Sequence, residues 1–346
     1  MCNLGLHHST YDLYIFGYAR LRTSMKLMRS EERVANFTES RLCGQVAILM
    51  CTYNGASYLQ EQLDSIYAQE YRNWYLYVSD DGSQDSTQDI LHAFKIRIGQ
   101  LHIFQGPRNG SCQNFLSLIR DSSIKADYYA LSDQDDIWYE DKLARAVKAL
   151  SGIPCGTPAL YCSRTRLVDE KGTDIGLSPL FKRTPSFQNA LVQNIGSGNT
   201  MLLNHAARQL MMRVDPNNNP VVHDWFLYMV VSGCGGIVIY DPIPSLGYRQ
   251  HAANLIGANA GFIARLKRFG LMLFGTHRRW NTHNIEALSS LREKLTPGNR
   301  FIYDEFSCFR NASLWNRLAG LYRTGLYRQT FGGNVSLWLA ALFKRL

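Results

Sequence analysis

Val46-Ala47-Ile48-Leu49-Met50-Cys51 is an unbroken apolar run, and the polar turn Thr52-Tyr53-Asn54-Gly55 closes it. Six apolar residues ended by turn formers read as a strand buried on both faces. Working outward, the chain alternates. Residues 56–69 place Leu59, Leu63, Ile66 and Tyr67 on one side of a helix. Residues 74–79 predict a second strand, and residues 86–96 a second helix with Ile90, Leu91 and Phe94 at helical spacing. Leu101–Gln105 predicts a third strand, residues 115–119 lie in a third helix, Tyr128–Ser132 is a fourth strand, and residues 139–150 a fourth helix. Strand–helix alternation of this kind predicts an α/β fold, a mainly parallel sheet covered by helices on both faces.

The second half is less regular. Residues 159–162, 200–204 and 236–240 read as strands and residues 223–231 as a helix. Beyond Gly257 the pattern is helical, over residues 262–274, 279–295, 301–322 and 334–346. Residues 1–44 are polar and without period, which predicts a loose arm. The expected organisation is therefore an arm over 1–44, a catalytic domain over 45–257 and a basic helical region over 258–346.

Composition bounds the class. The chain has 346 residues, 46% hydrophobic and 19% charged, enough for a sizeable core. None of the 8 cysteines forms a C-x-x-C pair, which argues against a zinc site and for free thiols in a reducing compartment. No secretory signal and no long apolar span is read, so a cytoplasmic location is expected. The net charge of +9 is carried by the C-terminal quarter, where 14 Lys+Arg stand against 4 Asp+Glu from Gly261 onward. Basic amphipathic helices there suit peripheral contact with an anionic membrane surface, or packing on the rest of the chain.

Ligands of open parallel sheets bind beyond the carboxyl ends of the strands. Three polar clusters fall there: Thr52–Gly55, Asp80–Asp85 and Asp133–Asp136. Ser132-Asp133-Gln134-Asp135-Asp136 carries the strongest signal, because three carboxylates within four residues repel one another unless a cation neutralises them. Mg²⁺ or Mn²⁺ suits such oxygens and completes its shell on substrate phosphates. The competing reading is a helix N-terminal cluster. In Ser79-Asp80-Asp81-Gly82, a carboxylate is placed to take the imide N–H of uracil or thymine, and Asp85 reads as a cap. In Cys51-Thr52-Tyr53-Asn54-Gly55, Tyr53 is suited to stack on a base and Thr52 to meet ribose or phosphate; a capped turn is the alternative.

Residues 46–55, 78–87 and 131–138 resemble the signature segments of family 2 glycosyltransferases with a GT-A fold. Leu-Ser-Asp-Gln-Asp-Asp-Ile-Trp is similar to a rhamnosyltransferase-like branch. Gly198-Asn199-Thr200-Met201, His223-Asp224-Trp225, Tyr248-Arg249-Gln250-His251 and Asn254-Leu255-Ile256-Gly257 extend the likeness in order. Asn199 departs from it, standing where the branch commonly has cysteine.

The resemblance implies a nucleotide-sugar-binding half over 45–140 and an acceptor half over 141–257. Asp81 would bind the base with Tyr53 stacked on it, within a donor site of Thr52, Tyr53, Asn54, Asp80, Asp81 and Asp133. Asp133 and Asp135 would hold the metal, with His251 reaching the metal or diphosphate. Asp224 would be the general base of an inverting transfer. Gly198, Asn199, Trp225 and Arg249 would meet acceptor or phosphate. The implied reaction moves a sugar, foremost L-rhamnose from dTDP-rhamnose, onto a saccharide acceptor, polyprenol-linked, in O-antigen, capsule or exopolysaccharide synthesis. A UDP-hexose or UDP-N-acetylhexosamine donor is the alternative within the fold. A nucleotidyltransferase is the alternative of another class, but residues 52–57 have one Gly and no Lys or Arg to cradle a triphosphate. Nucleic acid is not an expected partner, since acids at three strand ends repel phosphates.

Overall fold

A computed structural model describes residues 44–251 and 276–346, which belong to one compact unit. The helix expected over residues 262–274, the arm and Asn254–Gly257 lie outside the described residues.

Strand β1 (Val46–Thr52) is buried along its whole length and lies between two parallel neighbours, β2 (Trp74–Asp80) and β4 (Tyr128–Ser132). Strand β3 (Leu101–Gln105) extends the parallel set beyond β2. The sheet is mixed, however. On the other side of β4 stands β9 (Leu202–Asn204), antiparallel to both β4 and β6 (Ala159–Ser163), and β10 (Ile237–Asp241) closes the far edge parallel to β6. The order is β10-β6-β9-β4-β1-β2-β3. A second sheet, without a clear signal in the sequence, joins β5 (Ile137–Trp138), β11 (Leu246–Arg249), β7 (Arg166–Val168) and β8 (Asp174–Leu177). It sits beside the carboxyl end of β4, because β5 follows that strand after only four residues.

The alternation of side chains along β1 assigns the two faces. Ala47, Leu49 and Cys51 join the main core, together with helix α3 (Gly110–Arg120) and α7 (His223–Gly233). In α7 every residue from Trp225 to Val231 is buried, as expected of a helix apolar all round. Helix α1 (Ala56–Tyr67) buries Leu59, Leu63 and Ile66, spaced by one turn each. Tyr67, expected on the same face, is instead exposed and lies against the Arg97 guanidinium of α2 (Thr87–Ile98). Helix α4 (Lys142–Ser151) starts three residues later than expected, since Tyr139 still pairs outward, its N–H donating to the Ser245 carbonyl at 3.0 Å. Two short helices follow, α5 (Phe187–Ala190) and α6 (His205–Met211).

The C-terminal helices are α8 (Thr276–Ser289), α9 (Pro297–Phe309), α10 (Leu314–Thr324) and α11 (Phe331–Leu342). The single helix expected over 301–322 is broken between α9 and α10. Gly320 shows why the chain folds back there: a Cβ at this position would come within 2.4 Å of Phe309. Only a glycine lets the two helices approach this closely. Leu321, Leu337, Ala341 and Leu346 join the same core as α3 and α7. No described helix is long and apolar enough to cross a membrane.

Candidate active site

The register of the parallel strands sets the site. Thr52 of β1 pairs with Asp80 of β2, and Met50 with Ser132 of β4, so three strands deliver their following loops to one edge. Asn54 adopts a left-handed turn (φ 47°), and its side-chain oxygen accepts the Gln84 N–H at 2.8 Å while its own N–H donates to Ser83 Oγ at 2.8 Å. Asp85 accepts from Ala56 N–H at 3.0 Å and from Thr87 N–H at 3.1 Å, in keeping with the capping reading. The first two loops are thus stitched together before any ligand arrives.

Several expected donor residues are spent on this stitching. Thr52, read as a ribose or phosphate contact, is buried and donates its hydroxyl to Asp80 at 2.8 Å. Asp80 also accepts from Ser83 Oγ at 2.6 Å and Ser83 N–H at 3.0 Å. Burial alone would raise the Asp80 carboxyl; the hydrogen bonds from Ser83 and Thr52 outweigh it and hold the group below the usual range. Asp80 is a structural staple whose oxygens face the protein. Its neighbour Asp81 accepts from Arg108 N–H at 2.6 Å and Gly110 N–H at 3.0 Å, at the start of α3. Tyr53 is 58% exposed.

Gln134 was given no role in the sequence, yet it grips the backbone of Tyr53 from both sides. Its Oε1 accepts the Tyr53 N–H at 2.8 Å and its Nε2 donates to the Tyr53 carbonyl at 3.1 Å. Gly55 makes room for it, since a Cβ there would lie 2.3 Å from Gln134 Oε1.

The acidic loop is where charge concentrates. Burial, then the charges of Asp135 and Asp224, push the Asp133 carboxyl up to about 8. Asp136 is fully buried; burial and the charges of Asp135 and Asp133 push it well above the carboxylate range. Its oxygens accept from Asn199 Nδ2 at 2.5 Å and Arg249 N–H at 3.3 Å. Buried Lys142 lies under the loop, its ammonium 4.4 Å from the Trp138 ring centre, and burial, opposed by Asp136, brings it down to about 7. His251 Nε2 is hydrogen-bonded to Asp135 Oδ2 at 2.8 Å, and its ring stacks on Tyr58 at 5.0 Å.

Asp224 lies in the first turn of α7, accepting from Gly198 N–H at 3.0 Å and Trp225 N–H at 2.6 Å. Gly198 N–H binds Asp224 and the next residue, Asn199, binds Asp136, so one short segment links the start of α7 to the acidic loop. Tyr248, also without an assigned role, belongs there too. Burial and the charges of Asp133, Asp136, Asp135 and Asp224 all raise its phenol.

Three residues expected to meet acceptor or phosphate are engaged within the protein. Arg249 is buried, donating to the Asp135 and Glu170 carbonyls at 2.9 and 2.7 Å and to Glu61, so it braces the acidic loop. Trp225 points into the core and donates to the Ala190 carbonyl at 2.6 Å. Asn199 is buried on Asp136. A cavity of about 550 Å³ near Lys125, His205, Arg208 and Arg213 lies at the amino end of β4, away from the carboxylates.

The sequence has known relatives. The model of Glycosyl transferase family 2 matches residues 47–209. The dTDP-rhamnosyl transferase RfbG of Shigella flexneri is 31% identical over 255 residues, covering 69% of this chain and 84% of that protein. The chain belongs to the family 2 glycosyltransferases. The uncharacterized glycosyltransferase RP339 of Rickettsia prowazekii is 31% identical over 126 residues, covering 36% of the transferase described here and 38% of that protein. The fold of the present chain is similar to the crystal structure of S. aureus TarS 1-349 in complex with UDP-GlcNAc, with a TM-score of 0.52 at 15% identity, covering 87% of this chain and 89% of that one. The architecture is GT-A, and the family settles the class as glycosyl rather than nucleotidyl transfer.

Proposed function

We propose that this transferase moves L-rhamnose from dTDP-rhamnose to the hydroxyl of a saccharide, polyprenol-linked, in surface polysaccharide synthesis, with inversion and with Mg²⁺ or Mn²⁺. The observation that carries the reading is the tie between Asp224 and the Asp133–Asp136 loop through Gly198 and Asn199, in a chain 31% identical to a dTDP-rhamnosyl transferase.

The donor set fits a hard cation. Burial, then the charges of Asp135 and Asp224, raise the Asp133 carboxyl, and a divalent ion held by Asp133 and Asp135 would relieve the cost of that buried negative charge. Among the described residues no group of three or more His, Cys, Asp or Glu is arranged around a metal. Mg²⁺ commonly takes only one or two carboxylates and finds its other ligands on phosphate and water. His251, read earlier as a ligand, holds Asp135 through Nε2, the orienting role of an outer partner. When bound, the cation neutralises charge growing on the leaving diphosphate.

The chain's own residues do the rest. Tyr53, with its backbone clamped by Gln134, offers a face for the base, and Asp81 lies at hand for the imide N–H. In this reading residues 45–140 are the nucleotide-sugar half and 141–257 the acceptor half. As the acceptor oxygen bonds to the anomeric carbon and the carbon–oxygen bond to the diphosphate breaks, the hydroxyl proton passes to the Asp224 carboxylate. The Gly198 and Trp225 N–H groups hold that carboxylate in place and leave lone pairs free to receive the proton.

The test is release of dTDP or UDP from dTDP-rhamnose and UDP-sugars, with and without metal. Turnover of dTDP-rhamnose only with metal, abolished by Asp135→Ala, is expected; metal-independent turnover sinks the cation assignment. Asp224→Asn should lower kcat by about 10²–10⁴-fold with donor affinity retained; loss of donor affinity instead would remove Asp224 as the base.

A further inference from the structure

The C-terminal helices carry an apolar face that the proposed reaction does not use. On α10, Trp315, Leu318 and Tyr322 recur at three- and four-residue spacing along one stripe. On α11, Phe331, Val335, Trp338 and Leu342 do the same. The two helices are neighbours, and a cleft of about 520 Å³ between them is lined by Leu318, Phe331, Val335, Trp338, Leu339 and Leu342. Trp315 is 77%, Tyr322 80% and Phe331 86% exposed. Scattered single apolar residues on a surface need no explanation, but a contiguous aromatic patch of this kind marks a contact site.

We infer that this face of α10 and α11 docks on an anionic phospholipid surface. Tryptophan and tyrosine favour the headgroup level, where the ring is buried and the polar atom stays wet. The charge points the same way. From Phe306 to the C-terminus there are six Lys and Arg and not one Asp or Glu. Arg310 and Arg317 are buried, binding the chain's own carbonyls at Arg278 and at Ala341. Lys344 and Arg345 are exposed directly after α11, next to exposed Phe343. A second copy of the chain is the weaker occupant: a two-fold contact would bring the exposed Lys344 and Arg345 of both copies to one interface. The bilayer offers both an apolar interior and the opposite charge.

The test uses the full chain and vesicles of phosphatidylglycerol with phosphatidylethanolamine, and phosphatidylcholine vesicles for comparison. Co-sedimentation with the anionic vesicles is expected, with quenching of tryptophan emission by brominated lipid. The triple variant Trp315→Ser/Phe331→Ser/Trp338→Ser should lose at least about tenfold in partitioning with unchanged circular dichroism. Lys344→Glu/Arg345→Glu should lose about tenfold or more, on anionic vesicles only and at low salt. Absence of wild-type sedimentation, absence of quenching, or a triple variant that partitions like wild type overturns the inference. So does sedimentation velocity in lipid-free buffer showing a wild-type dimer that the triple variant breaks, because the face then meets its own copy.

Discussion

Asn199 lies in a short segment that serves two acids, one through its side chain and one through the backbone before it. Its Nδ2 binds Asp136, and the N–H of the preceding Gly198 binds Asp224. Asn199→Ala leaves Asp136 short of a donor, which should cost about 1–3 kcal/mol of stability and lower kcat more than it raises the donor KM; thermal melts and steady-state kinetics check both. His223 is the residue whose protonation is most readily seen. It is buried, stacked on Phe115 at 4.0 Å, and burial, opposed by the Asp224 charge, pushes its pKa below the ordinary 6.5. The neutral ring is the folded form. Its contribution is complete above the unfolded value and fades as pH falls through that value toward the lower folded one. Stability should therefore decline below about pH 6.5, and His223→Gln should flatten that part of the profile in denaturant melts. The carboxylates of the acidic loop were legible in the sequence because like charges crowded at a strand end need a reason. Arg249, Trp225 and Thr52 were not, because a side chain's type does not say whether it turns inward.

Among the elements, β1 to β4 and the helices between them were readable, because buried strands give apolar runs and amphipathic helices give a clear period. The second sheet was not. Its strands have two to four residues, too few to show an alternation, and they pair across long gaps in sequence. Tyr248 escaped notice for that reason, since the pairing of β11 with β5, which follows the acidic loop, and with β7 brings it among the carboxylates. The antiparallel placement of β9 is likewise a matter of connection rather than composition. The break between α9 and α10 was hidden because the apolar period runs through it, and the glycine that permits the return lies ten residues downstream. Gly320→Val would push against Phe309 and should destabilise the chain by about 1–3 kcal/mol, measured as a lower denaturant midpoint, with little change in donor turnover below the melting range.

At the scale of the molecule, the C-terminal helices are part of the catalytic body's interior. Leu337, Ala341 and Leu346 are buried in the core that holds α7, and residues 327–329 bind the segment around α5: Tyr327 donates to the Thr184 carbonyl at 2.6 Å, and Gln329 N–H to Gln193 at 2.8 Å. Ending the chain before Thr330 should strip this cover and give a protein with a melting temperature lowered by several degrees or one that aggregates, read by differential scanning calorimetry. Point substitutions on the outer face are therefore the cleaner probe of that surface. Chimeras feel the same constraint. A graft that joined the front of one relative to the tail of another at a cut near residue 257 would mismatch a shared seam, unless residues 183–193 and 326–329 travelled together.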